Sequence, residues 1–398
     1  MIGDGSLKTV FFGGNPSSIL VQRSGMRTEI LKIGTLDRTR GVHRAARWLD
    51  QGKLVAFPTE TVYGIGCKAE KHTFERLNKV KGRQPDKRYT LHIGSPEQLT
   101  KYIPSQSLKA QKLVQNAFPG PVTIVFELDD EALRQVNESL PKDLYETLYS
   151  GQTLGVRYPA CQITCEILAQ AHSPIVAPSA NPGGSPPATS VKEVLGYFDG
   201  EIEGVVEIPD FEANFKQSST VVKVGKEDIQ ILREGAVPAS QIQKWTTIRL
   251  LFVCTGNTCR SPMAAGFCRK YFADNLGCQV DELEHFGYII DSAGIAACQD
   301  APASRDAVEV CRAHEIDLSF HQSRQLTLID VEQSDVILTM SRYHRDSIAQ
   351  SFPTALEKCF MLDEVADIMD PMGSGIDVYR DCFQQICDNI IKKKKEIL

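Results

Sequence analysis

The sequence lacks the long apolar run that a membrane span requires. No stretch approaches about 18 consecutive apolar residues, and residues 1–27 are rich in glycine and serine without the apolar segment of a signal peptide. We therefore expect a cytoplasmic protein with no membrane partner. The net charge of −6 and the pI near 5.8 exclude a basic surface over the whole molecule, although a local basic patch for nucleic acid stays open.

The sequence also lacks a CxxC pair and a Walker-type GxxxxGKT loop. Twelve cysteines are scattered along the chain without a regular framework, which argues against zinc ribbons, thioredoxin-like motifs and a small disulfide-stapled domain. Reduced thiols in a cytosolic protein fit this pattern best. Nucleotide binding through a Walker loop is excluded.

A chain of 398 residues exceeds what one hydrophobic core usually serves, so two domains are expected. We predict an extension over 1–27, a first domain over 28–245 and a second over 246–398. From residue 246 onward, short apolar strands alternate with helical segments through short links. This alternation predicts an α/β domain with a doubly wound parallel sheet.

The stretch RLLFVCTGNTCRSP at residues 249–262 runs from an apolar strand into a loop with two cysteines and an arginine. Ser261 and Pro262 are a favoured helix start, so a helix is expected directly after Arg260. The loop from Cys254 to Arg260 would then lie at a helix N-terminus, where backbone N–H groups attract an anion. Glycine and asparagine within the loop tolerate the backbone angles that an anion cradle needs.

Cys254 has several possible roles at the start of this loop. Zinc would need further ligands at regular spacing, and none lie nearby in the sequence. The positive end of the helix would hold Cys254 as a thiolate, and the planar guanidinium of Arg260 matches two phosphate oxygens. The pattern therefore favours a nucleophile that attacks phosphorus, with a buried structural thiol as the alternative.

A thiolate that attacks phosphorus needs an acid to protonate the leaving group. The segment DIMDPMGSG offers Asp367 and Asp370 just before the last helix. Asp370 heads the turn-rich Asp-Pro-Met-Gly loop. An Asp-Pro pair that only starts a turn is the alternative.

Residues 248–398 resemble the low-molecular-weight protein tyrosine phosphatase family in VCTGNTCRSPMA, SAGIAA and DPMGSG. The resemblance implies a phosphocysteine on Cys254, phosphoryl binding by Arg260, acid–base catalysis by Asp370 and thiolate stabilisation by Ser261, without a cofactor. It also places Thr255, Gly256, Asn257, Thr258 and Cys259 in the phosphate loop.

Two departures from the tyrosine-directed members bear on the substrate. Thr258 stands where an aliphatic residue is usual, and Met372 stands where an aromatic residue usually follows the Asp-Pro pair. Thr258 resembles the protein-arginine phosphatases of this family, so a phosphoarginine protein substrate is favoured over phosphotyrosine. Arsenate reduction is not expected because Ser341 and its neighbours offer no thiol pair. Cys259 and Cys254 could form a reversible protective disulfide.

The first domain gives weaker signals when residues alone are considered. Thr59 and Thr61 follow a strand in FPTETVYGIG, and their hydroxyls suit contacts to a small ligand. The alternative is that this stretch is an ordinary glycine turn. Lys81 and Arg83 lie at a helix C-terminus, where cations are favourable in any case. His92 follows an apolar strand, where a lone histidine is more often structural.

Several stretches of the first domain together resemble the YrdC-like threonylcarbamoyl-AMP synthase family. They are GKLVAFPTETVYGIG, KGRQPDKRYTLHI, FPGPVTIVFEL, TLGVRYP, PIVAPSAN and STVVKV with ILREGAV. The resemblance implies a twisted mixed sheet with helices. It implies synthesis of threonylcarbamoyl-adenylate from L-threonine, bicarbonate and ATP with Mg²⁺, and release of pyrophosphate. The product would serve tRNA threonylcarbamoyladenosine modification through partner proteins, so contact with tRNA is expected to be indirect.

The same resemblance assigns the binding residues of the first domain. The nucleotide would be surrounded by Lys81, Arg83, Lys87, Thr153, Ser179, Asn181 and Arg233. Threonine would be held by Thr61, His92, Arg157, Ala177 and Ser219. Arg88 and Tyr89 replace the family's usual Pro-Leu pair. The alternative function is a regulatory or RNA-binding module without catalysis, attached to an active phosphatase.

Overall fold

The structure is a computed structural model that describes residues 27–83, 88–226 and 228–397. Lys87, which the sequence assigns to the nucleotide, and all but the last residue of the expected extension over 1–27 lie outside the described residues. Within these ranges, no helix combines the length and the apolar character needed to cross a membrane.

The first domain alternates strands with helices. Its strands are β1 Glu29–Lys32, β2 Val55–Phe57, β3 Gly64–Lys68, β4 Leu91–His92, β5 Val122–Glu127, β6 Thr153–Arg157, β7 Ile175–Val176, β8 Gly204–Glu207, β9 Thr220–Val224 and β10 Ile229–Arg233. Its helices are α1 Arg38–Asp50, α2 Lys71–Lys81, α3 Glu97–Tyr102, α4 Leu108–Ala117, α5 Asp130–Ser139, α6 Lys142–Leu148, α7 Gln162–Gln170, α8 Val191–Phe198 and α9 Ala239–Thr246.

These strands form one mixed sheet in the order β1-β8-β2-β3-β7-β4-β6-β5-β9-β10. For example, β5 pairs parallel to β9 and antiparallel to β6. All three residues of β2 are buried because the strand lies inside the sheet with a core on each face. The mixed α/β sheet predicted for this domain is confirmed.

The second domain is built on a parallel sheet. Its strands are β11 Ile248–Cys254, β12 Tyr288–Gly294, β13 Val336–Thr339 and β14 Cys359–Met361, and its helices are α10 Arg260–Leu276, α11 Arg305–Arg312, α12 Leu328–Gln333, α13 Arg342–Ser351 and α14 Ile376–Ile397. The order is β12-β11-β13-β14, with every pair parallel. The doubly wound sheet expected from the alternating pattern is confirmed.

Strand β11 sits at the centre of this domain and separates two cores. Leu250 and Phe252 pack with α10 and α14, whereas Leu251 and Val253 pack with the residues around α12 and α13. Because β12 and β13, the next two strands along the chain, lie on opposite sides of β11, the carboxyl end of β11 opens a crevice. Cys254 is the last residue of β11, so it lies at that crevice.

The two domains are joined by a short connection and by direct contacts. The expected boundary at residues 245 and 246 falls in the last turn of α9, and Thr247 separates this helix from β11. Helix α4 of the first domain supplies Lys112, whose Nζ lies 2.7 Å from Asp335 Oδ2 and donates to the Thr247 carbonyl. Leu108 of the same helix packs against the core of the second domain.

Candidate active sites

The first domain contains a cavity of about 210 Å³ over the middle of the sheet. The residues assigned from sequence that line it are Arg83, His92, Arg157, Ala177, Ser179, Ser219 and Arg233. They come from separate elements: His92 and Arg157 end adjacent parallel strands and are paired in register. The sheet thus brings together residues that are far apart along the chain.

Arg157 is the most strongly fixed of these side chains. Its Nη2 donates to Glu60 Oε1 at 2.8 Å, to Thr61 Oγ1 at 2.6 Å and to Thr59 Oγ1 at 3.3 Å. Glu60 Oε2 in turn accepts from the Ala160 backbone N–H at 2.8 Å. Arg157 and Glu60 are both buried, and Arg157 Nε has no hydrogen-bond partner in the described structure. The pattern analysis missed Glu60, although it follows Thr59 directly.

His92 is a neutral acceptor in this cavity. Burial, and then the positive charge of Arg157, lower the pKa of His92 to about 3. Its Nδ1 lies 3.1 Å from the Thr90 carbonyl, which can only accept, so Nδ1 carries the proton. The lone pair of Nε2 is therefore free to accept a hydrogen bond from a ligand.

Lys81 supports the loop around Ser179 rather than lining the cavity. Its Nζ donates to the carbonyls of Ser179 and Asn181, each at 2.5 Å. Burial, and then the nearby Arg83, lower the pKa of Lys81 to about 8. The Asn181 side chain donates to the carbonyls of Pro182 and Ser185, so it also fixes this loop.

Three further arginines line the cavity: Arg83, Arg88 and Arg233. Burial lowers the pKa of Arg83, and burial followed by the charge of Arg157 lowers the pKa of Arg233. Arg233 Nη2 donates to the Ser219 carbonyl at 2.6 Å. With Arg157, four arginines line the cavity, which suits a polyanionic ligand.

Besides Lys81 and Asn181, two further assigned residues do not line the cavity. Thr153 lies at the start of β6, four residues before Arg157, and its hydroxyl donates to the Ser150 carbonyl at 3.0 Å. Thr61 is fully buried and contacts the cavity lining through the side chains of Arg157 and Thr59. Within the described residues, no group of three or more His, Cys, Asp or Glu side chains could hold a metal ion.

The second domain places a buried thiol at the crevice of its sheet. Cys254 Sγ accepts from the Asn257 backbone N–H at 3.2 Å and lies 3.0 Å from Ser261 Oγ. Helix α10 begins at Arg260, one residue earlier than the sequence indicates, so Ser261 is not its cap. The hydroxyl is thereby placed in the first helical turn and reaches the sulfur.

Asn257 locks the loop in place. It is fully buried with a φ of 55°, a conformation that asparagine tolerates better than most residues. Its Nδ2 donates to Ser261 Oγ and Ser292 Oγ, each at 2.9 Å, and its Oδ1 accepts from the Arg324 N–H at 3.0 Å. His321 Nε2 lies 2.7 Å from the Asn257 carbonyl. The sequence analysis missed Ser292, Arg324 and His321.

Arg260 connects the loop of residues 254–260 to the loop of residues 370–373, which we call the acid loop. Its buried guanidinium lies 2.5 Å from Asp370 Oδ2 and donates to the Ile368 carbonyl at 3.3 Å. The Asp370 side chain is 53% exposed, so it can exchange partners when a ligand enters. Asp367 instead accepts from the Arg342 N–H at the start of α13. Of the two aspartates that the sequence offers, Asp370 is the one beside Arg260.

Three other loop side chains have defined neighbours. Cys259 Sγ lies 3.3 Å from both Ser304 Oγ and Tyr379 Oη, and burial raises the pKa of Tyr379 to about 12. Thr258 is half-buried, and its Oγ1 lies 3.7 Å from Cys259 Sγ. Thr255 Oγ1 lies 2.8 Å from Nε2 of His344, a buried residue that the sequence analysis missed.

Comparison with known proteins finds relatives for both domains. Residues 47–235 match the Sua5, YciO and YrdC family described as "Telomere recombination", and residues 249–397 match the family described as low molecular weight phosphotyrosine protein phosphatase. Over 153 residues, the chain is 35% identical to a protein-arginine-phosphatase of Geobacillus stearothermophilus, covering 36% of this chain and 95% of that relative.

The first domain is similar to proteins named threonylcarbamoyl-AMP synthase. The relative from Halorhodospira halophila is 32% identical over 166 residues, which cover 42% of this chain and 81% of that relative. The relative from Pyrococcus abyssi is 33% identical over 234 residues, which cover 58% of this chain and 64% of that relative. The chain therefore spans less than two thirds of the Pyrococcus protein.

Proposed function

The chain belongs through its first domain to the threonylcarbamoyl-AMP synthase family and through its second to the low-molecular-weight protein phosphatase family, and we propose that it is an enzyme with two activities. The synthase proposal depends mainly on the cavity organised by Arg157. The phosphatase proposal depends mainly on Cys254 Sγ, which faces a backbone N–H and a hydroxyl in an anion-binding loop.

In the first domain, the amine of L-threonine takes up carbon dioxide supplied by bicarbonate and becomes a carbamate. A carbamate oxygen then attacks the α-phosphorus of ATP, and the bond from that phosphorus to the pyrophosphate oxygen breaks. The products are threonylcarbamoyl-adenylate and pyrophosphate. Arg83 and Arg233 would neutralise charge that develops on the phosphates, while Arg157, which lines the same cavity, would bind the threonine carboxylate.

Magnesium fits this reaction as a companion of the nucleotide. The described residues hold no cluster of carboxylates that would cage the ion, and Glu60 is already paired with Arg157. Mg²⁺ commonly binds through substrate phosphates rather than through a dedicated protein cage. When bound, it would offset phosphate charge, and no step here depends on protein ligands to it.

The adenylate is an activated intermediate, so a second reaction must consume it. We propose that it supplies the threonylcarbamoyl group for tRNA adenosine modification through partner proteins. The net charge of −6 agrees with a chain that passes on a small molecule rather than binding tRNA across its whole surface.

In the second domain, Cys254 attacks the phosphorus of a phosphoprotein while the bond to the leaving group breaks. Arg260 would bind two phosphoryl oxygens, and Asp370 would give its proton to the leaving group. Water then attacks the phosphocysteine, with Asp370 as the base, and releases phosphate. The contact between Arg260 and Asp370 would open when the phosphoryl group enters between them.

Phosphoarginine is the preferred substrate in this proposal. Thr258 is half-buried and carries a hydroxyl where an aliphatic residue is usual, and Met372 stands where an aromatic residue is usual. An acidic Asp370 suits a guanidinium leaving group, and the Geobacillus relative carries the name protein-arginine-phosphatase. Hydrolysis of free phosphoarginine and phosphotyrosine by the full chain tests this preference. We expect phosphoarginine to be faster, and rapid hydrolysis of phosphotyrosine alone would refute it.

The synthase proposal is tested by pyrophosphate release from ATP in the presence of the full chain. Release should require both threonine and bicarbonate, and mass spectrometry should detect threonylcarbamoyl-adenylate. Arg157→Lys serves as the site variant because lysine keeps the charge but cannot reproduce the guanidinium contacts. Release that is indifferent to threonine would indicate a regulatory module or an unrelated ATPase.

A further inference from the structure

Tyr89 is held rigidly at the wall of the synthase cavity. Its hydroxyl donates to Asn78 Oδ1 at 2.5 Å, and its ring meets the edge of Phe74 with centroids 4.7 Å apart. Burial raises the pKa of Tyr89 to about 12, so the phenol remains a donor at physiological pH. The ring therefore has a fixed orientation, although leucine is the more usual residue in the family that the sequence resembles.

The face of this ring carries Arg83. The guanidinium carbon of Arg83 lies 4.5 Å from the centroid of Tyr89, a distance at which a cation–π interaction is favourable. Arg83 Nη2 donates to the Arg88 carbonyl at 2.9 Å, whereas the buried Nε has no hydrogen-bond partner in the described residues. Arg83 thus lines the cavity with its buried Nε donor unpaired.

A second depression of about 900 Å³ lies beyond Tyr89. We call it the acidic groove because four of its lining residues are carboxylates: Glu70, Glu75, Asp143 and Glu146. Lys68 and Lys71 also line it, and Lys68 pairs with Glu70 at 2.9 Å. Tyr89 and Arg88 are the residues that line both the synthase cavity and the acidic groove. The ring of Tyr89 therefore lies between the Arg83 guanidinium and the carboxylates of the acidic groove, which would attract the guanidinium.

We propose that Tyr89 is a positioning residue that holds Arg83 in the synthase cavity, where the guanidinium binds the phosphates of the nucleotide, and keeps it out of the acidic groove. The inference rests on the proposed synthase function for the identity of the ligand. A smaller apolar side chain would remove the cation–π contact and open a path for Arg83 toward the groove. Nucleotide affinity would fall, while threonine affinity would not.

The test is calorimetric binding of α,β-methylene ATP and of L-threonine to the full chain. Tyr89→Leu should weaken nucleotide binding about 5- to 30-fold, the size of a desolvated cation–π contact. Tyr89→Phe keeps the ring face and should restore affinity to within about threefold. In an Arg83→Ala background, Tyr89→Leu should change nucleotide affinity less than about twofold, because the partner is gone.

Tyr102→Leu is the matched control. Tyr102 is also buried in the first domain and has a lysine over its ring at 5.5 Å, but it does not line the cavity. The Tyr102→Leu substitution should therefore leave the nucleotide affinity unchanged. Equal losses of nucleotide and threonine binding in Tyr89→Leu, or an undiminished effect in the Arg83→Ala background, would overturn the proposal.

Nucleotide binding without threonine-dependent pyrophosphate release would refute the synthase function and leave the positioning role to be judged by affinity. If the unsubstituted chain binds no nucleotide, the positioning role falls with the synthase function.

Discussion

Arg157 and Glu60 form the ion pair on which the first site is built. Both side chains are almost inaccessible, at 8% and 3% exposure, and their nitrogen and oxygen atoms lie 2.8 Å apart. Removing one partner of such a pair leaves a buried charge without compensation. The pair therefore couples the geometry of the proposed threonine site to the stability of the domain.

Glu60→Gln is expected to lower the free energy of unfolding of the first domain by about 3 kcal/mol, because the Arg157 charge loses its partner. Both tryptophans of the sequence, Trp48 and Trp245, lie in this domain, so fluorescence during urea denaturation reports its unfolding. Glu127→Gln removes an ion pair whose members are 29% and 38% exposed, and it should cost less than about 1 kcal/mol. Equal effects of the two substitutions would contradict this account.

We expect the synthase activity to depend on pH through the ionisation of Lys81. Its pKa near 8 means that the ammonium charge is lost as pH rises through that value. The ratio kcat/KM for ATP reports ionisations of the free enzyme, so it should fall above about pH 8. Lys81→Arg retains the charge to beyond about pH 12 and should remove this decline.

Stability should change in the opposite direction over the same pH range. Between pH 8 and the ordinary pKa of lysine, the unfolded chain binds more protons than the folded one, so the free energy of unfolding rises with pH. An activity profile that is flat to pH 10, or one that declines equally in Lys81→Arg, would show that Lys81 is not responsible.

Single residues divide into those that local patterns reveal and those that they do not. Cys254, Ser261 and the loop between them lie within eight adjacent residues, so a local pattern in the sequence can point to them. Glu60 and Arg157 are 97 positions apart in the sequence, and Arg260 and Asp370 are 110 positions apart. A pattern in one segment cannot reveal such pairs, because only the folded sheet and the acid loop bring them together.

At the scale of elements, the phosphate loop depends on the end of β12. A Cβ added at Gly294 would lie 2.5 Å from the Thr255 carbonyl oxygen and 3.0 Å from the Asn257 nitrogen. Both are backbone atoms of the loop, so they cannot move aside without displacing it. The close approach of β12 is therefore a condition for the geometry around Cys254.

Gly294→Ala is expected to reduce the hydrolysis of an aryl phosphate by about 100-fold, the effect of roughly a 1 Å displacement of catalytic groups. Gly375→Ala is the control, since no atom lies within 4 Å of its added Cβ. Pyrophosphate release by the first domain should be unchanged in both variants. Wild-type hydrolysis by Gly294→Ala would show that the loop does not need this contact.

The elements themselves were largely predictable because their apolar periods are clear. The seven residues of β11 read as one buried strand, and the parallel sheet follows from strands that alternate with helices. The start of α10 differs by one residue, because Ser261 turns its hydroxyl to the sulfur of Cys254 instead of capping the helix. Ser261 is thus a residue type that favours helix caps, but its hydroxyl contacts Cys254 Sγ instead.

At the scale of the whole molecule, the first domain contacts the phosphatase sheet away from Cys254. Asp335 precedes β13, and its Oδ2 accepts from both Lys112 Nζ and the Arg249 N–H. These contacts lie near the amino ends of the parallel strands, whereas Cys254 lies at a carboxyl end. The domain contact therefore leaves the entrance to the phosphate loop open.

Lys112→Met is expected to lower the free energy of unfolding by about 1–3 kcal/mol, between exposed and fully buried ion pairs, and to leave both activities intact. Scanning calorimetry should show an earlier first transition. Lys142→Met, which removes an exposed pair with Glu146 at 3.8 Å, should leave that transition unchanged. Identical thermograms for the two variants would mean that the contact of Lys112 contributes nothing to docking.

The most direct test of two independent active sites is a crossed measurement on one preparation of the full chain. Threonine-dependent pyrophosphate release and aryl phosphate hydrolysis are measured together for the unsubstituted protein, Arg157→Lys and Cys254→Ser. We predict that Arg157→Lys loses only the first activity and Cys254→Ser only the second. Loss of both activities in either variant, or the absence of either activity in the unsubstituted chain, would contradict the account.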